Sequence, residues 1–228
     1  MAPEKRFDRM EPYEEGKVQR MIIDLFQDNV CPWCRIGKAH LFRALAQYGG
    51  EPPEIRWRAF MLDPNVPKRG LPFMSTMTAK YGEQFSKEGM LGRVMEAGAA
   101  TGLHFDFDKV EYMPNTRLSH RLIAIAPQEA KAGLVDALHR GYFEQGRNIG
   151  DPAVLLTIAD ECGLDGAELG RRLDKGEGES QIETDLAMAR RAGISGVPFF
   201  IIGNKFALSG AQPPESFLKV FGRLAEQA

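Results

Sequence analysis

The sequence predicts an α/β fold whose sheet is divided: a β-α-β half, a large all-helical insertion, and a β-β-α half. Three observations predict it. An apolar run at Met21-Ile22-Ile23-Asp24-Leu25-Phe26 leads through a sharp break into a helical pattern at Ile36, Ala39, Leu41, Leu45 and Ala46. From Pro72 to about Arg191 the apolar period is helical almost throughout. Short strand patterns then return at Pro198–Ile202 and Phe206–Ser209, ahead of one last amphipathic stretch.

Each element follows from local chemistry. The first strand is expected over Met21–Gln27 and the first helix from Cys31 to about Tyr48, where Gly49-Gly50-Glu51-Pro52-Pro53 breaks the chain. Ile55–Phe60 alternates as a half-exposed strand, and Asp63-Pro64-Asn65-Val66-Pro67 ends it. In the helical block Phe73, Met77 and Tyr81 share one face, and Leu91, Val94, Met95 and Gly98 another. A third helix carries Leu118, Leu122, Ile123 and Ile125; a fourth carries Leu134, Leu138, Tyr142 and Phe143. Asp151-Pro152 opens a fifth, with the aspartate as cap and the proline in the first turn, where its missing N–H is not needed. Further helices follow Asp165 and Ser180. Gly203-Asn204-Lys205 turns between the last strands, and Phe217, Leu218, Val220, Phe221 and Leu224 form the apolar side of the final helix.

The chain has 228 residues, 43% hydrophobic and 26% charged, with formal net charge −2. That balance gives no reason to invoke nucleic acid or a membrane surface. No apolar stretch is long enough to span a bilayer. Residues 1–20 are charged, lack the apolar stretch of a secretion signal, and read as a mobile extension. With three cysteines there is no disulfide scaffold, so the cytoplasm is the expected compartment.

Cys31-Pro32-Trp33-Cys34 stands where a strand hands over to a helix, the setting of a redox-active pair. Unpaired amides and the positive end of the helix dipole should favour the Cys31 thiolate, with Cys34 one turn inside to resolve a mixed disulfide. A zinc site wants four ligands. Only Cys162 remains for it, and His40, His104, His120 and His139 form no closely spaced pair, so no metal is expected. Cys162 reads as a small buried apolar residue, His40 as a packing or surface residue, and Arg35 as a solvated arginine.

Several separated motifs resemble, in order, the DsbA-like thioredoxin superfamily, and within it the FrnE-like group beside the 2-hydroxychromene-2-carboxylate isomerases. They are Val30-Cys31-Pro32-Trp33-Cys34 with Ile36-Gly37-Lys38; Trp57-Arg58-Ala59-Phe60-Met61-Leu62-Asp63-Pro64; Asn115-Thr116 with His120-Arg121; Gly196-Val197-Pro198-Phe199-Phe200; and Ser209-Gly210-Ala211-Gln212. The resemblance implies a thioredoxin-like domain over 21–66 and 192–228, with 67–191 inserted as a helical domain. It implies catalysis by Cys31, Cys34 and a cis Pro198, with Trp33 and Val197 at the substrate. Asn115, Thr116 and His120 would line a small-molecule or glutathione pocket, or Asn115 or Thr116 would cap a helix.

The implied activity is thiol–disulfide exchange with thiol- or disulfide-bearing proteins or small molecules. No tightly bound cofactor is expected, and glutathione would serve as a co-substrate. Strongly oxidising relatives carry a histidine between the cysteines, and Trp33 adds no charge, so a milder pair is expected. Isomerase and kappa-class transferase relatives bind glutathione and carry serine where Cys31 stands, which leaves a glutathione-dependent isomerase as the alternative. A redox-switched binding or chaperone module is the third reading.

Overall fold

The computed structural model describes residues 20–227. The expected extension at 1–20 lies outside them except for Arg20, whose Nε donates to the Pro52 carbonyl at 2.7 Å. The first half runs β1 (Ile22–Gln27), α1 (Pro32–Leu45) and β2 (Glu54–Ala59). The second half runs β5 (Phe199–Ile202), β6 (Phe206–Ser209) and α9 (Pro214–Ala225). Between them lie β3 (Leu71–Pro72), α2 (Phe73–Tyr81), α3 (Met90–Ala99), β4 (Tyr112–Met113), α4 (Arg117–Ile125), α5 (Lys131–Phe143), α6 (Pro152–Glu161), α7 (Gly166–Asp174) and α8 (Glu179–Arg191).

The two halves build one four-stranded sheet in the order β2-β1-β5-β6, with β1 parallel to β2 and antiparallel to β5. This central placement explains the run of apolar residues in β1, which is covered on both faces. Ile23 and Leu25 pack with Leu41 and Ala44 of α1 and with Phe217, Val220 and Phe221 of α9. Phe26 turns the other way, toward Met188 and Ala189 of α8 and toward Ile194 and Ile201.

Asp24 interrupts the run and is buried. Arg58 Nε of β2 donates to Asp24 Oδ1 at 2.6 Å, and Arg58 Nη1 donates to Asp185 Oδ1 at 3.0 Å. Asp185 Oδ2 also accepts the Ala59 amide at 3.0 Å. Burial works against the Arg58 charge, but the two carboxylates outweigh it and raise its pKa. One cation therefore serves two buried carboxylates and ties α8 to the sheet.

Inside the insertion the expectation of helix alone needs correction. Leu71 pairs with Met113 and Pro72 with Tyr112 in a small antiparallel ribbon, extended by the Phe73 amide to the Glu111 carbonyl at 2.8 Å. Strands of two residues are too short to show a period, so the pattern could not announce them. The expected caps are present: Asp151 accepts from the Ala153 amide and Asp165 from the Glu168 amide, both at 2.8 Å. The helical core gathers Phe73, Phe105, Phe107, Leu122, Leu134, Leu138, Phe143 and Leu155, and it also takes in Ile36 of α1. The insertion thus packs directly on the helix that carries the cysteine pair.

His139 sits fully buried on α5, stacked on Phe143 at 6.1 Å between ring centroids. Among the described residues neither of its ring nitrogens has a hydrogen-bond partner. Burial, aided by the Lys38 and Arg35 cations, pulls its pKa down to about 3.

Two measurements check this packing. Arg58→Met leaves two buried carboxylates without their cation and should lower unfolding free energy by about 3–5 kcal/mol in urea titrations. His139 stays neutral in the folded chain while the unfolded chain protonates it below its ordinary value near 6.5. Its contribution is therefore intact at neutral pH and is lost as pH falls toward 3. His139→Leu should gain on the parent by about 2–3 kcal/mol between pH 7 and 4.5, as read by urea unfolding at the two pH values. An equal acid sensitivity in both proteins would exclude this account.

Candidate functional site

The strand β1 ends at Gln27, and the chain turns through Asp28, Asn29 and Val30 to reach α1. Cys31 is the residue that caps α1, in extended conformation (φ −93°, ψ 110°), and Pro32 occupies the first helical position. The Cys31 amide is held by the Asp28 carbonyl at 3.0 Å, and the Cys31 carbonyl accepts the Cys34 amide at 3.0 Å. Cys31 is 4% exposed and Cys34 1%, while Trp33 between them faces solvent. Burial is the main cause that raises the Cys34 pKa well above the ordinary thiol value; its hydrogen bond to Cys31 and the charge there add to it.

The second wall of the site comes from the other end of the chain. Cys31 Sγ lies 3.5 Å from the Val197 carbonyl oxygen and donates to it. The Val197–Pro198 peptide bond is cis. A Cβ on Gly37 would lie 2.7 Å from Pro198 Cγ and 3.3 Å from Ala211 Cα, so only glycine lets the proline loop rest against α1. The Gly210 amide donates to the Pro198 carbonyl at 2.8 Å, and His40 Nδ1 lies 2.9 Å from the Gln212 carbonyl. Three of the separated motifs, around Cys31, Pro198 and Gly210, thus meet at one place.

The inserted-domain motif sits behind this surface. Asn115 Nδ2 donates to the Val66 carbonyl at 2.6 Å, and its Oδ1 accepts the Arg117 amide at 3.0 Å in a tight turn; Thr116, which stands at the cap of α4, makes no side-chain cap bond. Thr116 is buried, and its carbonyl accepts Ser119 Oγ at 2.8 Å. His120 is buried with Nε2 at 3.1 Å from the Phe60 carbonyl and 3.3 Å from Asp28 Oδ1. All three side chains face contacts within the protein.

Arg35 departs from the solvated arginine expected. It is 6% exposed, with Nη1 donating to the His104 carbonyl at 2.6 Å, Nη2 bound to Glu144, and its guanidinium 5.2 Å from the centre of the Phe105 ring. Its partners lie far along the chain, beyond any local pattern. Lys38 is buried as well, with Nζ 2.5 Å from Asp136 Oδ2 and 4.4 Å from the Phe42 ring centre. Burial lowers its pKa against the pull of Asp136. Both anions come from α5, Asp136 within it and Glu144 at its C-terminal cap, so two ion pairs fasten the insertion to α1.

Asp28, Asn29 and Ser119, which the sequence does not single out, also stand at the site. Gln27 Nε2 donates to Asn29 Oδ1 at 3.1 Å, and Asn29 Nδ2 donates to Ser119 Oγ at 2.8 Å. A usable signal existed in three polar residues, Gln27-Asp28-Asn29, directly after a buried strand. Cys162 closes α6 half-buried against the helical core, and burial raises its pKa. Among the described residues no cluster of three or more His, Cys, Asp or Glu side chains is placed to hold a metal ion. No helix among them is long and apolar enough to cross a membrane.

Comparison with known proteins agrees with this arrangement. A probable DsbA oxidoreductase of Streptomyces coelicolor superposes with TM-score 0.82 at 31% identity, over 92% of each chain. The uncharacterized protein YwbO of Bacillus subtilis is 29% identical over 86% of this chain and 94% of its own length. The cytosolic disulfide reductase DsbM of Pseudomonas aeruginosa, also solved with GSH, shares the fold at 17% identity. Its TM-score is 0.63, over 91% of this chain and all of its own. Residues 22–222 match the model of the DSBA-like thioredoxin domain, and the chain belongs to that family.

Proposed function

We propose that the protein is a thiol–disulfide oxidoreductase working through Cys31 and Cys34. One observation carries the reading: Cys31 caps α1 within 3.5 Å of the Val197 carbonyl, beside Pro198, with Cys34 buried one turn inside. Cys31 is the outer sulfur at the helix start, and Cys34 lies behind it. Cys31 attacks a substrate disulfide or, when oxidised, is attacked by a substrate thiolate. Cys34 resolves the mixed disulfide in the first direction and leaves as the thiolate in the second. The Val197 main chain and the exposed Trp33 ring receive the substrate segment, by backbone pairing of the strand-addition kind.

The substrate is a thiol- or disulfide-bearing protein or small molecule. Glutathione serves as co-substrate, without a tightly bound cofactor, and the compartment is the cytoplasm. Support for glutathione comes from the fold shared with a disulfide reductase solved with GSH.

The reading is tested by equilibrating the protein in glutathione buffers, alkylating free thiols and weighing the product. A Cys31–Cys34 disulfide should form. A midpoint of roughly −120 to −200 mV would mark an oxidant or isomerase, and one of about −270 mV a reductase. Absence of that disulfide at every poise would overturn the reading in favour of a glutathione-binding isomerase.

Cys34→Ser should abolish disulfide turnover and trap Cys31-linked mixed disulfides, which non-reducing gels detect; an isomerase would keep its rate. In the reduced protein iodoacetamide should label Cys31 before Cys34 at neutral pH. Because folding raises the Cys34 pKa, its contribution to stability is present below the ordinary thiol value and is lost as pH rises above it. Reduced protein should therefore weaken above about pH 8.5 more steeply than oxidised protein in thermal melts.

A further inference from the structure

Among the described residues the large apolar side chains most open to solvent are Trp33, Leu62, Met74, Tyr81 and Tyr112. The first two border the cysteine loop, where the Leu62 amide is bonded to Asp28. The other three gather at α2, in the insertion. That helix is anchored from one side: Phe73 is its buried residue, packed on Phe85 at 5.5 Å and on Phe107 at 6.2 Å between ring centroids. Met77 reaches half-buried into the helical core.

The outer side of α2 is where a surface helix ordinarily turns polar. Instead Met74 is 47% exposed and Tyr81 39%. Seven residues apart, they lie on one stripe about 10 Å long, with exposed Thr78 between them. Tyr112, the cross-strand partner of Pro72 at the start of the helix, is 46% exposed. Single apolar residues scattered over a surface call for no explanation, but a stripe of them marks a contact.

The charges around the stripe indicate what covers it. Ahead of the helix Lys68 and Arg69 are exposed, and beyond its far end so is Glu83. Among the described residues these three enter no ion pair, whereas neighbouring Lys87 is bound to Asp108. Lys80 leans on its own Tyr81, with Nζ 5.4 Å from the ring centre. The stripe is thus flanked by positive charge at one end and negative charge past the other. An order that reverses about the middle is what a two-fold axis requires, since each residue then meets its counterpart from the opposite end. A second copy laid antiparallel sets Met74 on Tyr81, and Lys68 and Arg69 against Glu83. It also opposes the two helix dipoles. A merely apolar partner would need no such order.

We propose that α2 is the contact of a reversible homodimer, two copies packed antiparallel through the Met74–Tyr81 stripe. The proposal is independent of the oxidoreductase reading. Flexible methionine suits a surface that must be stable both wet and covered. A standard interface buries about 800 Å² per partner, more than these few side chains offer, so the dimer is weak.

The test is sedimentation equilibrium of the full chain in reducing buffer, which removes any dimer linked through cysteine. A monomer–dimer equilibrium should appear, with Kd weaker than about 1 μM. With ¹³C-labelled methionine methyls, the Met74 and Met77 signals should shift as protein concentration rises. The signal of Met188, in the core on the other side of β1, should stay still. Met74→Asp should raise Kd about ten-fold or more. Glu83→Arg should raise it by placing like charges opposite one another, and adding Arg69→Glu should bring it back.

A parent that stays monomeric up to about 1 mM overturns the proposal. So does a dimer indifferent to Met74→Asp, and so does failure of the paired charge reversal to recover what Glu83→Arg loses. Reduced, carboxymethylated α-lactalbumin serves as an unfolded apolar chain for comparison. Movement of the Met74 and Met77 signals on its addition, in a parent that remains monomeric, overturns the dimer in favour of a face for unfolded polypeptide.

Discussion

The arrangement depends on the absence of one carbon atom. Gly37 lets Pro198 lie against the second turn of α1 at a distance no side chain would permit. That contact brings the Val197 carbonyl to Cys31 and seats the Gly210–Gln212 segment on the same helix. The two halves of the sheet are thereby locked around the cysteine pair. A Cβ at Gly37 would meet a rigid ring and a backbone carbon, neither of which yields easily, so the whole proline loop would have to retreat.

A second set of contacts fastens the insertion. Ile36, next to Gly37, enters the helical core, and Arg35 and Lys38 reach α5 on either side of it. Four consecutive residues thus join the helix that carries the cysteine pair to both the insertion and the proline loop, two by ion pairs, one by apolar burial and one by lacking a side chain. In each pair the cation is buried while its anion keeps contact with solvent, so removing the anion would strand a buried positive charge on α1.

The sequence disclosed what local chemistry governs. β1 was legible because a strand covered on both faces must be apolar, α1 because its apolar period follows the cysteine pair, and α6 and α7 because aspartate caps mark helix starts. The meeting of Cys31 with Pro198 came from resemblance; no pattern near Val197 points to a residue 166 positions earlier. Arg35 was misplaced for the same reason, since its anion lies 109 residues away. Asp28 is not singled out by the sequence because polar residues in a loop are ordinarily solvated, and its burial depends on distant partners, Leu62 and His120 of α4. His120 was singled out, but its neighbours were not foreseeable.

The sheet order also sets a sequence of events during synthesis. β1 pairs with β5, and the shield over Cys31 arrives with Val197, 166 residues after the cysteine. At ribosomal speeds of about 5–20 residues per second, the thiols wait roughly ten to thirty seconds for their cover. Throughout that interval the nascent chain holds two vicinal cysteines on an unfinished sheet, open to any disulfide nearby. The long insertion therefore also lengthens the time in which the cysteine pair is without its cover.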